Sequence, residues 1–151
     1  MRVTATLFKP MEIIELKTLS ETGTESLASL MKELTNEKTV TSEMLQATVS
    51  DPSTHLFAAV EDGLIIGCAS LCVSHTPTGA KGSIEDVVVG SAFRGRHIGR
   101  MLMEHIIDYA RREFSPVELH LTSRPVRETA NRLYQTLGFY RYETNYYKLQ
   151  L

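Results

Sequence analysis

The sequence is poor in the features that mark several special classes of protein. It has no tryptophan, two cysteines and 7% aromatic residues, and its formal net charge is -2. No stretch approaches the roughly 18 uninterrupted apolar residues of a membrane helix, and the N-terminus lacks the apolar core of a signal peptide. We therefore expect a soluble, cytoplasmic protein that binds neither membranes nor nucleic acids, since no global basic field attracts a polyanion.

The two cysteines, Cys68 and Cys72, lie in a segment rich in β-branched and small residues. Their spacing differs from the Cys-x-x-Cys pattern of many metal and redox sites, and no cluster of histidines accompanies them. We expect two reduced thiols in the core and no bound metal.

The rest of the composition is average for one globular domain. Hydrophobic residues make up 42% and charged residues 23% of the 151 positions. A chain of this length buries about two-thirds of the surface that it exposes when unfolded, so residues 1–151 are expected to form a single domain. The segment that begins at Met11 reads as a first strand, which makes residues 1–10 either an N-terminal extension or the result of an upstream start.

Apolar periodicity predicts a strand, two helices and a three-stranded meander in the N-terminal half. In chain order these are the strand Glu12–Leu16, a helix that buries Leu27, Leu30, Met31 and Leu34, a short helix that begins at Thr41 or Ser42 and buries Met44, Leu45 and Val49, and the strands His55–Glu61, Leu64–Ser74 and Ser83–Val89. The dipeptide Asp62-Gly63 favours a two-residue hairpin turn.

The C-terminal half is predicted to alternate helices with strands. The elements are a long helix from Ile98 to about Phe114, a strand from Val117 to Leu121, a helix with Val126, Ala130, Leu133, Tyr134 and Leu137 on its apolar face and Gly138 at its end, and one or two strands in Phe139–Leu149. The whole order predicts an α+β domain with a mostly antiparallel sheet of about six to seven strands, a parallel crossover around the long helix and about four helices.

The most informative stretch is the run Arg94-Gly95-Arg96-His97-Ile98-Gly99-Arg100, between a strand and the long helix. Arginines are unfavourable at a helix N-terminus, where the backbone carries partial positive charge. A polyanion bound to the free backbone N–H groups would remove the conflict, and a pyrophosphate fits because the glycines allow a close approach and the arginines donate hydrogen bonds. The alternative is a solvated basic turn.

This run resembles the signature of the GCN5-related N-acetyltransferase (GNAT) family, which has Arg or Gln, two residues, Gly, one residue, then Gly or Ala. Arg94 and Gly99 match the two ends, and His97 stands where the first glycine usually lies. The run Ala130-Asn131-Arg132-Leu133-Tyr134, followed by Gly138-Phe139, resembles the family's second marker. The likeness covers roughly residues 83–140 and extends upstream only through the order of the elements.

The resemblance implies a GNAT-like fold, acetyl-coenzyme A as co-substrate, no metal, and direct transfer of an acetyl group to a primary amine of a small molecule. It assigns the pantetheine arm to the backbone of Val87, Val88 and Val89, the pyrophosphate to Arg94, Gly95, Arg96, His97, Ile98, Gly99 and Arg100, and further cofactor contacts to Asn131 and Tyr134. Tyr134 would also protonate the departing thiolate.

Direct transfer needs a group that removes a proton from the amine. On a regular strand Glu85 and Asp86 point to opposite faces, so one faces the interior or a cleft unless both lie at an exposed strand start. Either could bind the ammonium and act as the base. The pair also resembles the branch that acetylates glucosamine 6-phosphate, and Arg124 or Arg127 could bind a phosphate or carboxylate of the acceptor.

Other interpretations stay open at this point. The acceptor could be an amine of a protein or peptide, or the chain could be a non-catalytic acyl-coenzyme A sensor in which His97 marks lost turnover. The tyrosines of the C-terminal run also favour a homodimer, because an exposed final strand is an adhesive edge. They are Tyr140, Tyr142, Tyr146 and Tyr147.

Overall fold

The structure of the protein is a computed structural model that describes residues 9–151. It forms two compact units, of which the first ends at Leu121 and the second is Thr122–Leu151. The N-terminal extension expected over residues 1–10 lies outside the described residues except for Lys9 and Pro10. A single domain over residues 1–151 stays a prediction.

The first unit contains a five-stranded mixed sheet in the order β1-β2-β3-β4-β5. The strands are β1 (Glu12–Leu16), β2 (Thr54–Glu61), β3 (Leu64–Thr76), β4 (Gly79–Val89) and β5 (Val117–His120). The first four form an antiparallel meander, and β5 lies parallel to β4. Asp62 and Gly63 have φ values of 49° and 79°, both positive as the predicted hairpin turn requires.

Three helices belong to the first unit and one to the second. They are α1 (Glu21–Leu34), α2 (Ser42–Ser50), α3 (Ile98–Phe114) and α4 (Glu128–Thr136). The helix α2 is capped by Thr41, one of the two predicted capping residues, whose hydroxyl accepts a hydrogen bond from the Met44 N–H at 3.2 Å. The four predicted helices and the parallel crossover through α3 are thus confirmed.

Helices cover both faces of the sheet in the first unit. Leu56 and Ala58 of β2 belong to the core cluster that α1 and α2 form on one face. Phe57 points to the other face, where its ring lies 5.0 Å from the rings of both His105 and Tyr109 on α3. The alternation of side chains along one buried strand therefore supplies both halves of the core.

The second unit consists of a turn, α4 and an extended C-terminal segment. The helix ends at Gly138, whose φ of 96° lets the N–H groups of Gly138 and Phe139 donate to the carbonyls of Gln135 and Tyr134, each at 3.1 Å. This is a Schellman motif, and its usual apolar contact is present because the rings of Tyr134 and Phe139 lie 6.3 Å apart.

The prediction of six to seven strands is wrong, since the sheet has five. Among the described residues no strand lies beyond β5, and residues 139–151, expected to form one or two strands, have no regular secondary structure. Alternating aromatic residues favour an extended backbone, but a strand forms only where a neighbour completes the hydrogen-bond ladder. The tyrosines of this segment are accordingly 71–84% exposed.

Two single-residue burial predictions are also wrong. Met44 is 49% exposed because α2 faces the core only through Leu45 and Val49, and Val126 is 81% exposed because it precedes α4.

Both cysteines are free as expected; Cys68 is buried, which raises the pKa of its thiol to about 12, and Cys72 is half-buried. A thiol of such high pKa stays protonated and unreactive at neutral pH.

Candidate active site

The segment between β4 and α3 forms a tight loop, residues 94–100, which we call the cofactor loop. Gly95 and His97 both have left-handed backbones, with φ values of 81° and 60°. Left-handed residues make consecutive N–H groups converge on a concave surface that suits an anion. His97 adopts the conformation that the resemblance assigns to a glycine, so this substitution keeps the loop geometry at a cost of about 1–2 kcal/mol.

The N-terminus of α3 has neither a capping side chain nor an acidic residue in its first turn. The first hydrogen bond inside the helix runs from the Met101 N–H to the His97 carbonyl, so the N–H groups of Ile98, Gly99 and Arg100 have no acceptor within the helix. Such an uncapped N-terminus attracts anions through the N–H groups of its first turn and through the helix dipole.

Each arginine of the cofactor loop has an acidic partner, which the sequence analysis did not predict. Arg94 lies 3.6 Å from Glu33 of α1, Arg96 forms a two-pronged pair with Glu61 at the end of β2, and Arg100 lies 3.2 Å from Glu104. The first two partners come from distant parts of the sequence, so only the fold brings the charges together.

The edge of β4 that faces β5 is open over half its length. The short strand β5 pairs only with Ala80–Ser83, whereas β4 continues to Val89. Among the described residues no strand pairs with residues 84–89 on that side, so backbone groups of Val87 and Val88 can pair with an extended ligand. The Val89 carbonyl instead accepts a hydrogen bond from the Arg94 Nε at 3.2 Å.

A β-bulge in β4 begins directly after Glu85 and includes Asp86. The register shifts between Cys68 and Ser70 of β3, which pair with Val88 and Glu85, so β4 holds one extra residue there. Asp86 has a φ of 52°, and the strict alternation that was expected for the pair does not apply. Glu85 instead accepts a short hydrogen bond from the Ser83 hydroxyl on its own strand.

Asp86 lines a small cavity of about 40 Å³ between the sheet and the helices α1 and α2. The other lining residues are Leu27, Met31, Leu45, Thr48, Leu56, Cys68 and Ser70. Burial raises the pKa of the Asp86 carboxyl, the charge of Glu85 adds to the effect, and Lys38 opposes it. Both Glu85 and Asp86 nevertheless keep an exposed surface, so acceptor and water can reach them. A carboxylate with a raised pKa binds protons more readily than one with an ordinary pKa and suits a general base.

The remaining predicted site residues lie in the second unit. Tyr134 is 6% exposed, and burial raises the pKa of its hydroxyl while Arg127 opposes the shift. The Asn131 side chain donates to the Arg124 carbonyl at 3.0 Å and so stabilises the turn before α4. Arg124 and Arg127 are both exposed. The Tyr134 hydroxyl is protonated at neutral pH and can therefore donate a proton.

The residues present fit coenzyme A in two respects. A Cβ added at Gly95 would meet no atom within 4 Å, so the cofactor loop borders open space at this residue, and no side chain caps the start of α3. Within residues 9–151 no group of three or more His, Cys, Asp or Glu is placed to bind a metal ion, and no helix is long and apolar enough to cross a membrane.

An uncapped helix N-terminus beside an open strand edge defines a site for a long ligand with an anionic end. The chain belongs to the acetyltransferase (GNAT) family, whose model matches residues 20–139. The family resemblance read from the cofactor loop and from the Ala130–Phe139 marker is therefore confirmed, and acetyl-coenzyme A is the co-substrate that the family implies.

Known proteins with related sequences or folds agree with this assignment. The chain is 37% identical over 90 residues to streptothricin acetyltransferase of Streptomyces lavendulae; the match covers 59% of this chain and 46% of that protein, less than half its length. An acetyltransferase structure from Trypanosoma brucei is 26% identical, with a TM-score of 0.75 over 94% of this chain and 100% of that one. Glucosamine-6-phosphate N-acetyltransferase from Arabidopsis thaliana is 22% identical, with a TM-score of 0.75 over 93% and 99% of the two chains, and shows a shared fold.

Proposed function

We propose that the protein transfers the acetyl group of acetyl-coenzyme A to a primary amine of a small molecule. The observation that carries this proposal is the uncapped N-terminus of α3 next to the open edge of β4. An N–H cluster binds the pyrophosphate, and the strand edge binds the amide-containing pantetheine arm, so one ligand spans both. Family membership supplies the reaction type.

In the proposed reaction the amine nitrogen attacks the thioester carbonyl carbon, and a tetrahedral oxyanion forms. A backbone N–H near Val87 stabilises the negative charge, since the open strand edge leaves donors for it. The C–S bond then breaks, and coenzyme A leaves as a thiolate. The ammonium form of the acceptor loses one proton before the attack, and the nitrogen loses a second when the tetrahedral intermediate collapses. Sulfur gains one proton and one passes to solvent, so the site needs a base and an acid.

We assign the base to Asp86 and the acid to Tyr134. Asp86 has the raised pKa, and its cavity of about 40 Å³ has room for a water molecule that relays the proton from the ammonium. Tyr134 stays protonated at neutral pH because burial raises the pKa of its hydroxyl. Glu85 binds the ammonium in this assignment, and Arg124 and Arg127 bind an anionic group of the acceptor.

We further propose that the acceptor is a polar metabolite or an antibiotic with a primary amine. Streptothricin acetyltransferase, by its name, acetylates streptothricin, and the fold is shared with a glucosamine-6-phosphate N-acetyltransferase. Two alternatives remain to be tested, namely an amine of a protein or peptide and a non-catalytic acyl-coenzyme A sensor.

The decisive experiment measures release of the coenzyme A thiol from acetyl-coenzyme A over a panel of amines. The panel contains streptothricin, aminoglycosides, amino-sugar phosphates, polyamines, amino acids and peptide N-termini. Acceptor-dependent release supports the proposal and identifies the acceptor class. Coenzyme A binding without release for any amine favours the sensor, and absence of binding contradicts the proposal.

The substitution Tyr134→Phe tests the acid. We expect kcat to fall by about 10²-fold or more, because the thiolate loses its proton donor, while the Kd for coenzyme A changes less than about two-fold. Steady-state kinetics and calorimetric binding measure the two quantities. The neighbouring Arg132→Gln, on the exposed face of α4, is the control. An unchanged kcat in Tyr134→Phe would show that another group protonates the sulfur.

We also propose that the protein forms a homodimer through residues 139–151. Tyr147, Leu149 and Leu151 alternate along this segment and are 84–110% exposed, so apolar side chains that a partner could cover recur at every second position. Light scattering with the intact chain and with a variant that ends after Phe139 tests the proposal. A monomeric mass for the intact chain contradicts it.

A further inference from the structure

The pair between Arg96 and Glu61 links the cofactor loop to the hairpin of β2 and β3. Arg96 Nη1 donates to Glu61 Oε1 at 3.1 Å, and Nη2 donates to Oε2 at a shorter distance. The guanidinium carbon lies 5.9 Å from the centre of the Phe93 ring. The planar group is thus bound at one edge and stacked over a ring, a geometry that an arginine forms and a lysine does not.

Arg94 is bound to the protein in a similar way. Its Nε donates to the Val89 carbonyl at 3.2 Å, and its Nη2 lies 3.6 Å from Glu33 Oε2, which also accepts the Ser91 N–H at 2.8 Å. Two arginines expected to bind pyrophosphate are therefore engaged with carboxylates of the protein itself. The pair of Arg96 is two-pronged, whereas the pair of Arg94 is longer and more exposed, so Arg96 is the more firmly held of the two.

The position of Arg96 in the backbone of the cofactor loop also matters for the shape of the loop. It lies between Gly95 and His97, whose left-handed conformations form the turn of the cofactor loop. The Arg96 side chain joins this turn to β2 through Glu61 and to the Phe93 ring, so it anchors the turn to two other parts of the first unit. An anchor that orders the loop in advance lowers the entropy lost when a ligand binds.

We propose that Glu61 is a positioning residue of the cofactor site: it clamps Arg96 and thereby orders the loop N–H groups, which bind the pyrophosphate in place of the Arg96 side chain. The inference rests on the proposed function, because it assumes that the loop binds coenzyme A. It gives a structural role to an acidic residue that would otherwise repel the ligand.

The substitution Glu61→Gln distinguishes this inference from its opposite by the sign of the effect. If Glu61 clamps the loop, the Kd for coenzyme A rises about five-fold while kcat at saturating acetyl-coenzyme A stays within about two-fold of the wild type. If Arg96 instead binds the phosphate directly, removal of its competitor leaves the Kd equal or lowers it. That result overturns the inference.

The exchanged pair Glu61→Arg with Arg96→Glu gives a second, independent test. A clamp works in either orientation, so the double variant binds coenzyme A more tightly than Arg96→Glu alone, within about three-fold of the wild type. A direct phosphate ligand would be lost in both variants, and equal weakening of the single and double variants overturns the inference. Arg96→Lys keeps the charge without the fork and is expected to weaken binding about as much as Glu61→Gln.

Asp108→Asn is the matched control, because it removes an exposed ion pair with Arg111 on α3, at a distance of 2.7 Å, away from the loop. It should leave the Kd unchanged. The wild type is titrated in parallel: if it does not bind coenzyme A, the proposed function fails, whereas normal wild-type binding with unweakened Glu61→Gln defeats only the clamp. Urea midpoints of all variants confirm that they are folded.

Discussion

At the scale of single residues, backbone strain coincides with the candidate chemistry. Among residues 9–151 three non-glycine residues have positive φ, and two of them, Asp86 and His97, lie in the candidate site. Such conformations persist only where the surrounding structure imposes them, and they are frequent at functional positions. The bulge directs Asp86 to its cavity, and His97 shapes the loop at the start of α3.

We expect His97→Gly to raise the free energy of unfolding by up to about 1 kcal/mol. Glycine removes the left-handed strain of about 1–2 kcal/mol, and its greater freedom in the unfolded chain offsets part of the gain. Urea denaturation measures the change. His97→Val should be destabilising, because a β-branched residue tolerates positive φ poorly. A His97→Gly variant that is less stable than the wild type would contradict the claim that the left-handed backbone of His97 is strained.

The raised pKa of Asp86 predicts opposite effects of Asp86→Asn on activity and stability. A base must be ionised, so wild-type kcat should fall on the acid side at a pH above the ordinary Asp range, and the variant should lose about 10²–10⁴-fold in kcat. The folded state binds more protons than the unfolded state between the two pKa values. The carboxylate therefore lowers stability as the pH rises through that window, and Asp86→Asn should be more stable at neutral pH.

Two measurements check this prediction, namely a kcat profile over pH and urea midpoints at neutral pH. Glu85→Gln is the comparison, since its neighbouring carboxylate was the other candidate for the base. A larger loss of kcat in Glu85→Gln than in Asp86→Asn would reverse the two assignments.

At the scale of elements, the sequence predicted the helices and strands of the first unit well but not their irregularities. Apolar periodicity located α3 correctly because it repeats over 17 residues. The bulge at Asp86 left no local signal, since it depends on how β4 registers against β3. The prediction of strands in the C-terminal segment was wrong for a related reason, because strand propensity does not supply a neighbouring strand.

The pairing of β4 with β5 depends on a glycine. A Cβ added at Gly82 would lie 2.6 Å from a methyl of Leu119 on β5 and 2.9 Å from one of Leu71 on β3. We therefore expect Gly82→Ala to destabilise the protein by about 1–3 kcal/mol, because both leucines would have to move. Gly63→Ala, with open space around its Cβ but positive φ, is a control for strain without overpacking. Thermal denaturation of both variants tests this, and no loss of stability in Gly82→Ala would contradict it.

At the scale of the whole first unit, one polar cluster joins the sheet to α3. His55 Nδ1 on β2 lies 2.7 Å from Glu15 Oε1 on β1 and 3.1 Å from the Tyr109 hydroxyl on α3. Burial tends to raise the pKa of Glu15, but hydrogen bonds from Lys17 and His55 outweigh it, and the net pKa is lowered. Because His55 is 8% exposed, a change from the Glu15 carboxylate to a neutral amide replaces a charge-assisted hydrogen bond by a weaker one in a buried place, while the contact with the Tyr109 hydroxyl remains.

We expect Glu15→Gln to lower the free energy of unfolding by about 1–2 kcal/mol at neutral pH. A carboxyl whose folded pKa is depressed contributes fully above its unfolded pKa and loses its contribution as the pH falls through the folded value. The difference between the two proteins should therefore shrink as the pH falls below the ordinary Glu range and vanish below the lowered pKa of Glu15. Urea titrations over pH measure it, with Glu12→Gln on the exposed end of β1 as control. A difference that persists at low pH would exclude the ionised pair as its cause.

The sequence by itself determined the family, the order of the elements and the cofactor loop, because these depend on local periodicity and on residues that are neighbours in the chain. Only the tertiary structure decided which groups meet. Because β5 is short, half of one edge of β4 has no neighbouring strand, and the bulge in β4 places Asp86 at the small cavity. The fold also pairs Arg94 with Glu33 and Arg96 with Glu61, which are distant in the sequence. Contacts between distant residues depend on strand register and helix packing, and no local pattern encodes them.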